Sequence, residues 1–240
     1  MKVVILAAGQ GSRLGPLSRS QPKALIPVLG KPLIHYMLDL CDKASIEEVF
    51  VVGGYEFFRL QASLETCKKQ PHLLQNRDFK KGNLFSLATA LPSLDGDFLI
   101  ANADHIYPAS LFSSFLKNVQ GITAACDFDR PLGTDDMKIR CNKEGRLIAI
   151  SKKLPVFDGG YIGMTYCSAA ARKTYERAVE ATFRRHGEKA VVEEVLETLI
   201  LWGENPSLFD ASGHGWYEID TPSELRQVEA ELWENPSSKT

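Results

Sequence analysis

The stretch Leu6-Ala7-Ala8-Gly9-Gln10-Gly11-Ser12-Arg13-Leu14 directly follows the apolar run Val3–Leu6, and Pro22-Lys23 comes soon after it. This order predicts a buried strand, then a loop of small residues, with two cations beside the loop. Because the loop lacks bulky side chains, its backbone N–H groups can approach phosphate oxygens closely, while Arg13 and Lys23 add full positive charge. The stretch therefore predicts a phosphate site at the end of the first strand.

Two widespread phosphate loops do not match this stretch. A dinucleotide-binding loop needs a third glycine where this chain has Leu14, and an acid after the second strand where it has Gly53-Gly54. A Walker loop needs Gly-Lys followed by Ser or Thr, whereas Gly30-Lys31-Pro32 has proline at that position. A tight turn carrying a solvated arginine is the simpler alternative. The coincidence of glycines, Arg13 and Pro22-Lys23 in one short stretch favours a phosphate loop of another kind.

Length and composition predict one domain. The chain has 240 residues, of which 44% are hydrophobic, so it can fill one sizeable core. We expect this domain to span residues 1–234. The polar tail, residues 235–240, is expected to be frayed.

Charge and cysteine content exclude several classes of protein. A formal net charge of −2 argues against general nucleic-acid binding, which needs a surplus of Lys and Arg. No apolar stretch approaches the roughly 20 residues that span a bilayer, and we expect no membrane segment. Scattered cysteines without metal-binding spacing are typical of reduced thiols in a cytoplasmic protein. These cysteines are Cys41, Cys67, Cys126, Cys141 and Cys167.

Apolar strand-like runs alternate with segments of helical period, which indicates an α/β fold. Strands are predicted at Val3–Leu6, Glu48–Val52 and Phe98–Ala101 in the front half. In the back half, a hairpin is predicted around Asn142–Gly145, followed by a strand at Gly160–Thr165. A parallel front half and an antiparallel back half predict one mixed, mostly parallel sheet covered by helices.

Two aspartates are predicted to form a metal site beside the glycine loop. Asp104 follows the strand Phe98–Ala101, and Asp220 follows a predicted strand at Trp216–Ile219. If both strands are parallel neighbours of the first, the two carboxylates converge at one sheet edge, as Mg²⁺ requires. The alternative is that Asp220 only adjoins a helix cap at Thr221, where Thr-Pro-Ser-Glu predicts the start of a final helix. The neighbouring His105 is interpreted as a packed histidine or as one that supports a metal ligand, and not as a ligand itself.

Polar residues farther along the chain are candidates for substrate contacts. Lys152 is predicted to hold a second phosphate, with an exposed Lys152-Lys153 pair as the alternative. Asp158-Gly159-Gly160 is predicted to contact a hydroxylated substrate, although a plain turn explains this stretch nearly as well. The amide of Asn83 can both donate to and accept from a base, while its structural alternative is a helix N-cap.

These residues resemble the nucleotidyltransferase superfamily, whose signature is similar to the stretch from Leu6 to Lys23. Within it, three pieces look closest to the inositol-1-phosphate cytidylyltransferases, namely Lys81-Gly82-Asn83-Leu84-Phe85-Ser86-Leu87, Asp104-His105-Ile106-Tyr107 and Trp216-Tyr217-Glu218-Ile219-Asp220-Thr221. The resemblance implies a Rossmann-like three-layer α/β/α sandwich of the glycosyltransferase-A-like type. It also implies a nucleotide-binding half over about residues 1–120 and an acceptor-binding half over about residues 121–234.

The same resemblance implies roles for individual residues. Asp104 and Asp220 would hold Mg²⁺, and with Arg13 and Lys23 they form the predicted catalytic set. The predicted nucleotide-binding residues are Leu6, Ala7, Ala8, Gly9, Gly11, Ser12, Arg13, Lys23, Gly82, Asn83, Ser86 and Asp104. The predicted acceptor-binding residues are Lys152, Asp158, Gly160 and Glu194.

The resulting hypothesis is transfer of CMP from CTP to a small phosphomonoester, with inositol 1-phosphate as acceptor, giving a CDP-alcohol and pyrophosphate. A phosphocholine cytidylyltransferase is an alternative, with Tyr161, Tyr166 and Trp216 available for an aromatic cage around a quaternary ammonium. A sugar-1-phosphate enzyme using another triphosphate is also open, because Gly15–Gln21 resembles those enzymes. A non-catalytic nucleotide sensor would not need all four predicted catalytic residues.

Many enzymes of this kind are fused to a membrane alcohol-phosphotransferase domain, and we expect no such domain here. We therefore expect it to work with a separate membrane alcohol-phosphotransferase. The helical stretch Glu193–Trp202 is predicted either to cover the acceptor pocket or to form a homodimer contact.

Overall fold

A computed structural model describes residues 1–67 and 69–234 of the chain, and the predicted frayed tail, residues 235–240, lies outside the described residues. The strands of the described part are β1 (Lys2–Ala7), β2 (Pro27–Val28), β3 (Lys31–Pro32), β4 (Glu48–Gly53), β5 (His72–Gln75), β6 (Phe98–Asn102), β7 (His105–Ile106), β8 (Ile122–Asp127), β9 (Lys138–Cys141), β10 (Leu147–Ser151), β11 (Gly159–Cys167), β12 (Ser207–Asp210) and β13 (Tyr217–Glu218). The α-helices are α1 (Leu33–Lys43), α2 (Phe57–Leu64), α3 (Leu84–Ala90), α4 (Ala109–Asn118), α5 (Arg172–His186), α6 (Glu193–Leu201) and α7 (Pro222–Glu234).

A nine-stranded mixed sheet forms the centre of the molecule, with the path β10-β9-β11-β6-β1-β4-β5. Strand β8 pairs with β11 beside this path, and β12 pairs with β8. Strands β5, β4, β1 and β6 pair in parallel, as the front half of the sequence predicts. Strand β11 is antiparallel to β6, β8 and β9, and β9 and β10 form the predicted hairpin. The mixed, mostly parallel α/β fold is confirmed.

Helices cover both faces of this sheet, because successive side chains of a strand point to opposite faces. Along β1, Val3, Ile5 and Ala7 belong to one apolar cluster, which also contains the buried sides of α1, α2 and α4. Val4 and Leu6 belong to a second cluster, formed with α3, α5 and α6. The continuous apolar run of the first strand is therefore the middle layer of a three-layer sandwich.

Parallel pairing brings the ends of the central strands to one edge. Ala7 of β1 is level with Gly53 of β4, and Leu6 is level with Asn102 of β6. The glycine loop after β1 and Asp104 after β6 therefore leave the sheet side by side. Such a carboxyl edge is the usual place for ligands in open α/β sheets.

The route that brings Asp220 to this edge differs from the prediction. Instead of a central strand at Trp216–Ile219, the structure has the short strand β13, which pairs antiparallel with β7 in a separate two-stranded ribbon. Because Glu218 is level with His105, this ribbon places the residues after β13 beside the end of β6. Asp220 thus reaches the edge without belonging to the central sheet.

Helix starts follow the sequence signals closely. Helix α1 begins at Leu33, directly after Pro32, which stands at the N-cap position. Helix α7 begins at Pro222 as predicted. Its capping box is formed, since Glu224 accepts the backbone N–H groups of Asp220 and Thr221 at 2.8 Å each, and the Glu224 N–H donates to Thr221 Oγ1 at 3.3 Å.

None of the helices in residues 1–67 and 69–234 combines the length and the apolar character needed to cross a bilayer.

We predict that Glu224→Ala lowers the free energy of unfolding by about 1 kcal/mol, because it removes the reciprocal cap of α7 and leaves two backbone donors unpaired. Chemical denaturation measures the change. Arg226→Ala, an exposed change on the same helix, is the control and should leave stability nearly unaltered. Equal stability of the two variants would contradict the role of the cap.

Candidate functional site

The glycine loop is shaped around Lys23. Gly11 has φ +70°, a left-handed conformation that favours glycine, and a Cβ added there would lie 2.9 Å from the Lys23 Cβ. The backbone N–H of Lys23 donates to the carbonyl of Gly9 at 3.3 Å. A Cβ on Gly9 would meet nothing within 4 Å, so this position is open to an incoming ligand. Gly11 is therefore required by the loop conformation, whereas Gly9 leaves space above the loop for a ligand.

Lys23 joins the two predicted metal ligands. Its side chain is 10% exposed, and its Nζ donates to Asp104 Oδ2 at 2.6 Å and to Asp220 Oδ1. Burial alone would lower the pKa of Lys23, but Asp104 and Asp220 outweigh it and the pKa is raised. Burial would raise the pKa of Asp104, yet Lys23 and His105 hold it well below the usual range. The two carboxylates therefore meet around one ammonium group.

Arg13 reaches the same cluster from the glycine loop. Its guanidinium lies 2.6 Å from Asp220 Oδ2 and 3.2 Å from Asp135 Oδ2, and its side chain is half exposed. Both cations predicted to bind phosphates are thus paired with carboxylates in this structure. An incoming polyanion would compete with these carboxylates for the cations.

His105 is packed beneath Asp104, as the sequence interpretation stated. Its Nδ1 lies 2.6 Å from Asp104 Oδ1, and its ring stacks on Trp216 with centroids 5.5 Å apart and an interplanar angle of 6°. The ring of Tyr107 also stacks with His105, with centroids 5.7 Å apart, and its hydroxyl donates to the Ile162 carbonyl. The aromatic stack fixes the imidazole, and the imidazole fixes one oxygen of Asp104.

Asp127 anchors this stack from below. Trp216 Nε1 donates to Asp127 Oδ2 at 2.6 Å, and the backbone N–H groups of Asp129 and Arg130 donate to Oδ1. Burial would raise the pKa of Asp127, but these hydrogen bonds lower it. Arg130 lies over the Trp216 ring at 4.3 Å from its centroid. Sequence reasoning missed Asp127, because its significance depends on a tryptophan 89 residues away.

The donor set suits a hard divalent cation. Asp104 and Asp220 already share one positive charge, and Glu218 lies close enough that its oxygen, an Asp104 oxygen and a His105 nitrogen fall within 4.8 Å of one another. Carboxylate oxygens are the ligands Mg²⁺ prefers. Mg²⁺ takes oxygen in preference to imidazole nitrogen, and His105 Nδ1 already bonds to Asp104, so the carboxylate oxygens of the aspartates are the fitting ligands. The residues present therefore fit the predicted magnesium ion.

Part of the predicted nucleotide-binding set surrounds a small cavity of about 50 Å³ at the carboxyl edge. Its predicted members are Leu6, Ala7, Gly9, Lys23 and Asp104. The other predicted residues lie around it. Ser12 is exposed at the start of a 3₁₀ turn, and the Ala8 carbonyl accepts the N–H of Tyr55 at 3.1 Å.

Three predicted nucleotide contacts have structural duties. Ser86 is buried and its hydroxyl accepts from Asn76 at 3.0 Å, so it supports the strand end and does not line the cleft. Gly82 packs against the backbone of Ala190, where a Cβ would lie 1.9 Å from the carbonyl oxygen. Asn83 stands at the N-cap position of α3, as its structural alternative predicted, but its side chain makes no cap hydrogen bond there. Its Oδ1 accepts the N–H of Val192 at 2.8 Å instead.

A second cavity of about 170 Å³ lies next to Asp104 and is predominantly polar. It contains the predicted residues Asn83 and Lys152. Its full lining is Asn83, Asn102, His105, Asp135, Asp136, Met137, Lys152, Tyr161, Gly163, Val191, Glu193 and Glu218. Both halves of the chain contribute to this cavity. It is the space in which a second substrate can approach the cluster around Lys23.

Three of the four predicted acceptor residues do not line this cavity. Asp158 is exposed and accepts the N–H of Cys141 at 2.8 Å, which is the turn role considered as its alternative. Gly160 is buried against Leu132. Glu194 accepts the N–H of Val191 at 2.9 Å, so it caps α6, and its neighbour Glu193 faces the cavity. Sequence reasoning could not tell which glutamate of the pair faces inward.

The aromatic residues proposed for a cationic cage do not assemble. Tyr161 lines the cavity, but its hydroxyl bonds to Thr165 at 2.8 Å and the side chain is buried. Tyr166 is buried in a core cluster, and Trp216 is held in the stack beneath His105. The structure offers one aromatic wall in place of a cage.

The chain is similar to known proteins over most of its length. Residues 3–198 match the family described as MobA-like NTP transferase domain. The chain is 26% identical over 235 residues to the bifunctional IPC transferase and DIPP synthase of Aquifex aeolicus, covering 95% of this chain and 51% of that protein. The chain thus spans about half the length of the curated relatives that head the comparison.

Solved structures share the fold. The inositol-1-phosphate CTP transferase from T. maritima superimposes with a TM-score of 0.82 at 19% identity, over 98% of this chain and 96% of that one. The CTP:phosphocholine cytidylyltransferase from Streptococcus pneumoniae gives a TM-score of 0.79 at 22% identity, over 96% of this chain and 98% of that one. At these identities the likeness establishes the three-layer nucleotidyltransferase fold.

We predict that Gly11→Ala destabilises the protein by about 1–2 kcal/mol, because alanine is strained at φ +70° and its Cβ collides with Lys23. Gly9→Ala is the matched control, since its Cβ meets no atom, and it should unfold at the wild-type denaturant concentration. Urea denaturation of both variants makes the comparison. Equal losses at the two positions would show that Lys23 does not depend on the loop geometry.

We also predict that Asp127→Asn lowers stability by about 1–3 kcal/mol at pH 7, because an amide cannot accept all the hydrogen bonds that converge on this carboxylate. The lowered pKa means that Asp127 contributes stability above its ordinary pKa of about 3.9, and that this contribution is lost as the pH falls through the folded value. Stability of the wild type should therefore fall more steeply below about pH 4 than stability of the variant. If the stability of the wild type and of the variant fell equally with pH, the proposed contribution of the Asp127 carboxylate would be wrong.

Proposed function

The chain belongs to the MobA-like NTP transferase family, and on that premise we propose that it transfers CMP from CTP to a small phosphorylated alcohol, with inositol 1-phosphate as the acceptor. The products are a CDP-alcohol and pyrophosphate. The observation that carries the proposal is the meeting of Asp104 and Asp220 at Lys23, directly beside the glycine loop. The similar structure from T. maritima is that of an inositol-1-phosphate CTP transferase, which supports CTP and inositol 1-phosphate as the substrates proposed here.

The reaction requires no general base. A phosphomonoester has a second pKa near 6, so it is largely dianionic at neutral pH and is itself the nucleophile. The obstacle is electrostatic, because this dianion must approach the α-phosphorus of an anionic triphosphate. Catalysis then consists of positioning and of neutralising charge.

The cations of the cluster supply that neutralisation. Arg13 and Lys23 would exchange their present carboxylate partners for the β- and γ-phosphates and stabilise the departing pyrophosphate. Asp104 and Asp220 would hold Mg²⁺, which when bound supplies positive charge to the α-phosphate and the incoming phosphate. Lys152 faces the neighbouring cavity and would orient the acceptor phosphate. The small cavity beside Leu6, Ala7 and Gly9 would receive the nucleotide.

The two halves of the domain would then bind different substrates. Residues in about 1–120 would hold the nucleotide, and residues in about 121–234 would hold the acceptor. The cavity that both halves line is polar and has no aromatic cage, which favours a hydroxylated acceptor over phosphocholine.

Pyrophosphate release across a panel of triphosphates and phosphomonoesters tests the proposal. We expect CTP with inositol 1-phosphate to give the highest kcat/KM, and phosphocholine and sugar 1-phosphates to give lower values. Preference for another triphosphate or for phosphocholine would replace the assignment. Binding of CTP without turnover of any phosphomonoester would point to a nucleotide sensor.

We predict that Asp104→Asn and Asp220→Asn each lower kcat by about 100-fold or more, because each removes charge from the proposed metal site. Circular dichroism should show an intact fold. Asp95→Asn is the control, since Asp95 pairs with Lys2 at 2.6 Å at the other end of β1. Near-normal turnover in either site variant would refute the two-carboxylate site.

A further inference from the structure

Two segments from the two halves of the chain are docked on each other beside the polar cavity. Gly82 donates its N–H to the Glu188 carbonyl at 2.8 Å, and Leu84 donates its N–H to the Ala190 carbonyl at 3.2 Å. Because a side chain on Gly82 would collide with Ala190, only glycine permits this backbone contact. The loop before α3 and the segment before α6 therefore form one continuous wall.

A side chain completes this contact. The N–H of Val192 donates to Asn83 Oδ1 at 2.8 Å, one residue before α6 begins at Glu193. Asn83 also lines the cavity, and among residues 1–67 and 69–234 its amide nitrogen has no hydrogen-bond partner. Asn83 thus fixes the start of α6 with its oxygen while it offers two N–H donors to a ligand.

Glu193 is the residue that this arrangement presents to the cavity. Its carboxylate lines the cavity together with Lys152 and forms no ion pair within the described residues. The adjacent Glu194 differs, because it accepts the Val191 N–H and pairs with His186 at 3.1 Å. Burial raises the pKa of Glu193, as expected for a carboxyl group without a paired cation.

The chemistry of the cavity limits what Glu193 can recognise. Among the residues that line the cavity, Lys152 carries the ammonium group that can bind a phosphate. Asn83, Asn102 and Glu193 can form hydrogen bonds with hydroxyl groups. A ligand with a phosphate at Lys152 and hydroxyls at the other three would satisfy all four residues. A ligand with an apolar or quaternary ammonium group would leave their hydrogen bonds unmade.

We propose that Glu193 is the residue that selects hydroxylated acceptors, and that Asn83 is a positioning residue that places Glu193 by holding the Val192 N–H. The inference rests on the proposed transfer to a phosphorylated alcohol and extends it to the residues that choose the alcohol. A hydroxyl of the acceptor donates to the Glu193 carboxylate while its phosphate contacts Lys152. Sites that hydrogen-bond a hydroxyl reject analogues lacking it, because the polar group is then buried without a partner.

The test compares inositol 1-phosphate with ethyl phosphate, which carries the same phosphate without free hydroxyls. In the wild type we expect kcat/KM to favour inositol 1-phosphate strongly. Glu193→Ala should lower that preference by about 10-fold or more while the KM for CTP stays within about twofold. Glu197→Gln, on the same helix outside the cavity, is the control and should keep the wild-type preference.

A double-mutant cycle tests the role of Asn83. If Asn83 acts on the acceptor through Glu193, Asn83→Ala should lower the preference for inositol 1-phosphate, and adding Glu193→Ala should cause little further loss. If the two substitutions instead lower the preference by factors that multiply in the double variant, Asn83 and Glu193 act independently and the positioning role of Asn83 is wrong. A general loss of stability would change the CTP and ethyl phosphate parameters as well, so it is distinguished from this outcome.

Two further results separate this inference from the proposed function. If the wild type turns over inositol 1-phosphate and Glu193→Ala keeps the same preference, the selection by Glu193 is wrong and the transfer stands. If the wild type turns over no phosphomonoester, the transfer is wrong. Calorimetric binding of inositol 1-phosphate to the wild type and to Glu193→Ala then decides the inference, and equal affinities overturn it.

Discussion

The ammonium group of Lys23 lies between two carboxylates from distant parts of the chain, and the rest of the site depends on this contact. A buried lysine keeps its charge only where carboxylates compensate for its lost hydration. Asp104 arrives at the end of β6 and Asp220 before α7, so the glycine loop, the sheet edge and the final helix must assemble together. The same contact concentrates opposite charges at a point where a polyanion and a divalent cation can replace them.

Each carboxylate has its own support below the surface. Asp104 is held by His105, which is stacked on Trp216, which in turn is hydrogen-bonded to Asp127. The backbone of Asp220 is held by the capping box of α7. Such satisfied, buried networks fix side-chain orientation, whereas partly satisfied ones cost free energy. A reaction driven by positioning and charge neutralisation requires fixed orientation, because its transition state is stabilised only by groups already in place.

Much of the fold could be predicted from the chain. The apolar run of β1, the hairpin of β9 and β10 and the cap of α7 were all marked by local patterns, since strand period, turn residues and capping residues act over a few positions. Failures occurred where the outcome depended on remote partners. Glu194 and Glu193 look alike in the sequence, and only packing against Asn83 shows which one faces the cavity.

The sequence by itself determined strand β1, the phosphate-type loop after it and the charged residues at strand ends, because these features depend on the sterics and charge of residues adjacent in the chain. Only the tertiary structure decided how Asp220 reaches Asp104. The prediction used a parallel central strand, whereas the chain uses a two-stranded ribbon, β7 with β13. Either route satisfies the local patterns equally well. The choice between them depends on pairing residues more than 100 positions apart, such as His105 and Glu218, which no local pattern records.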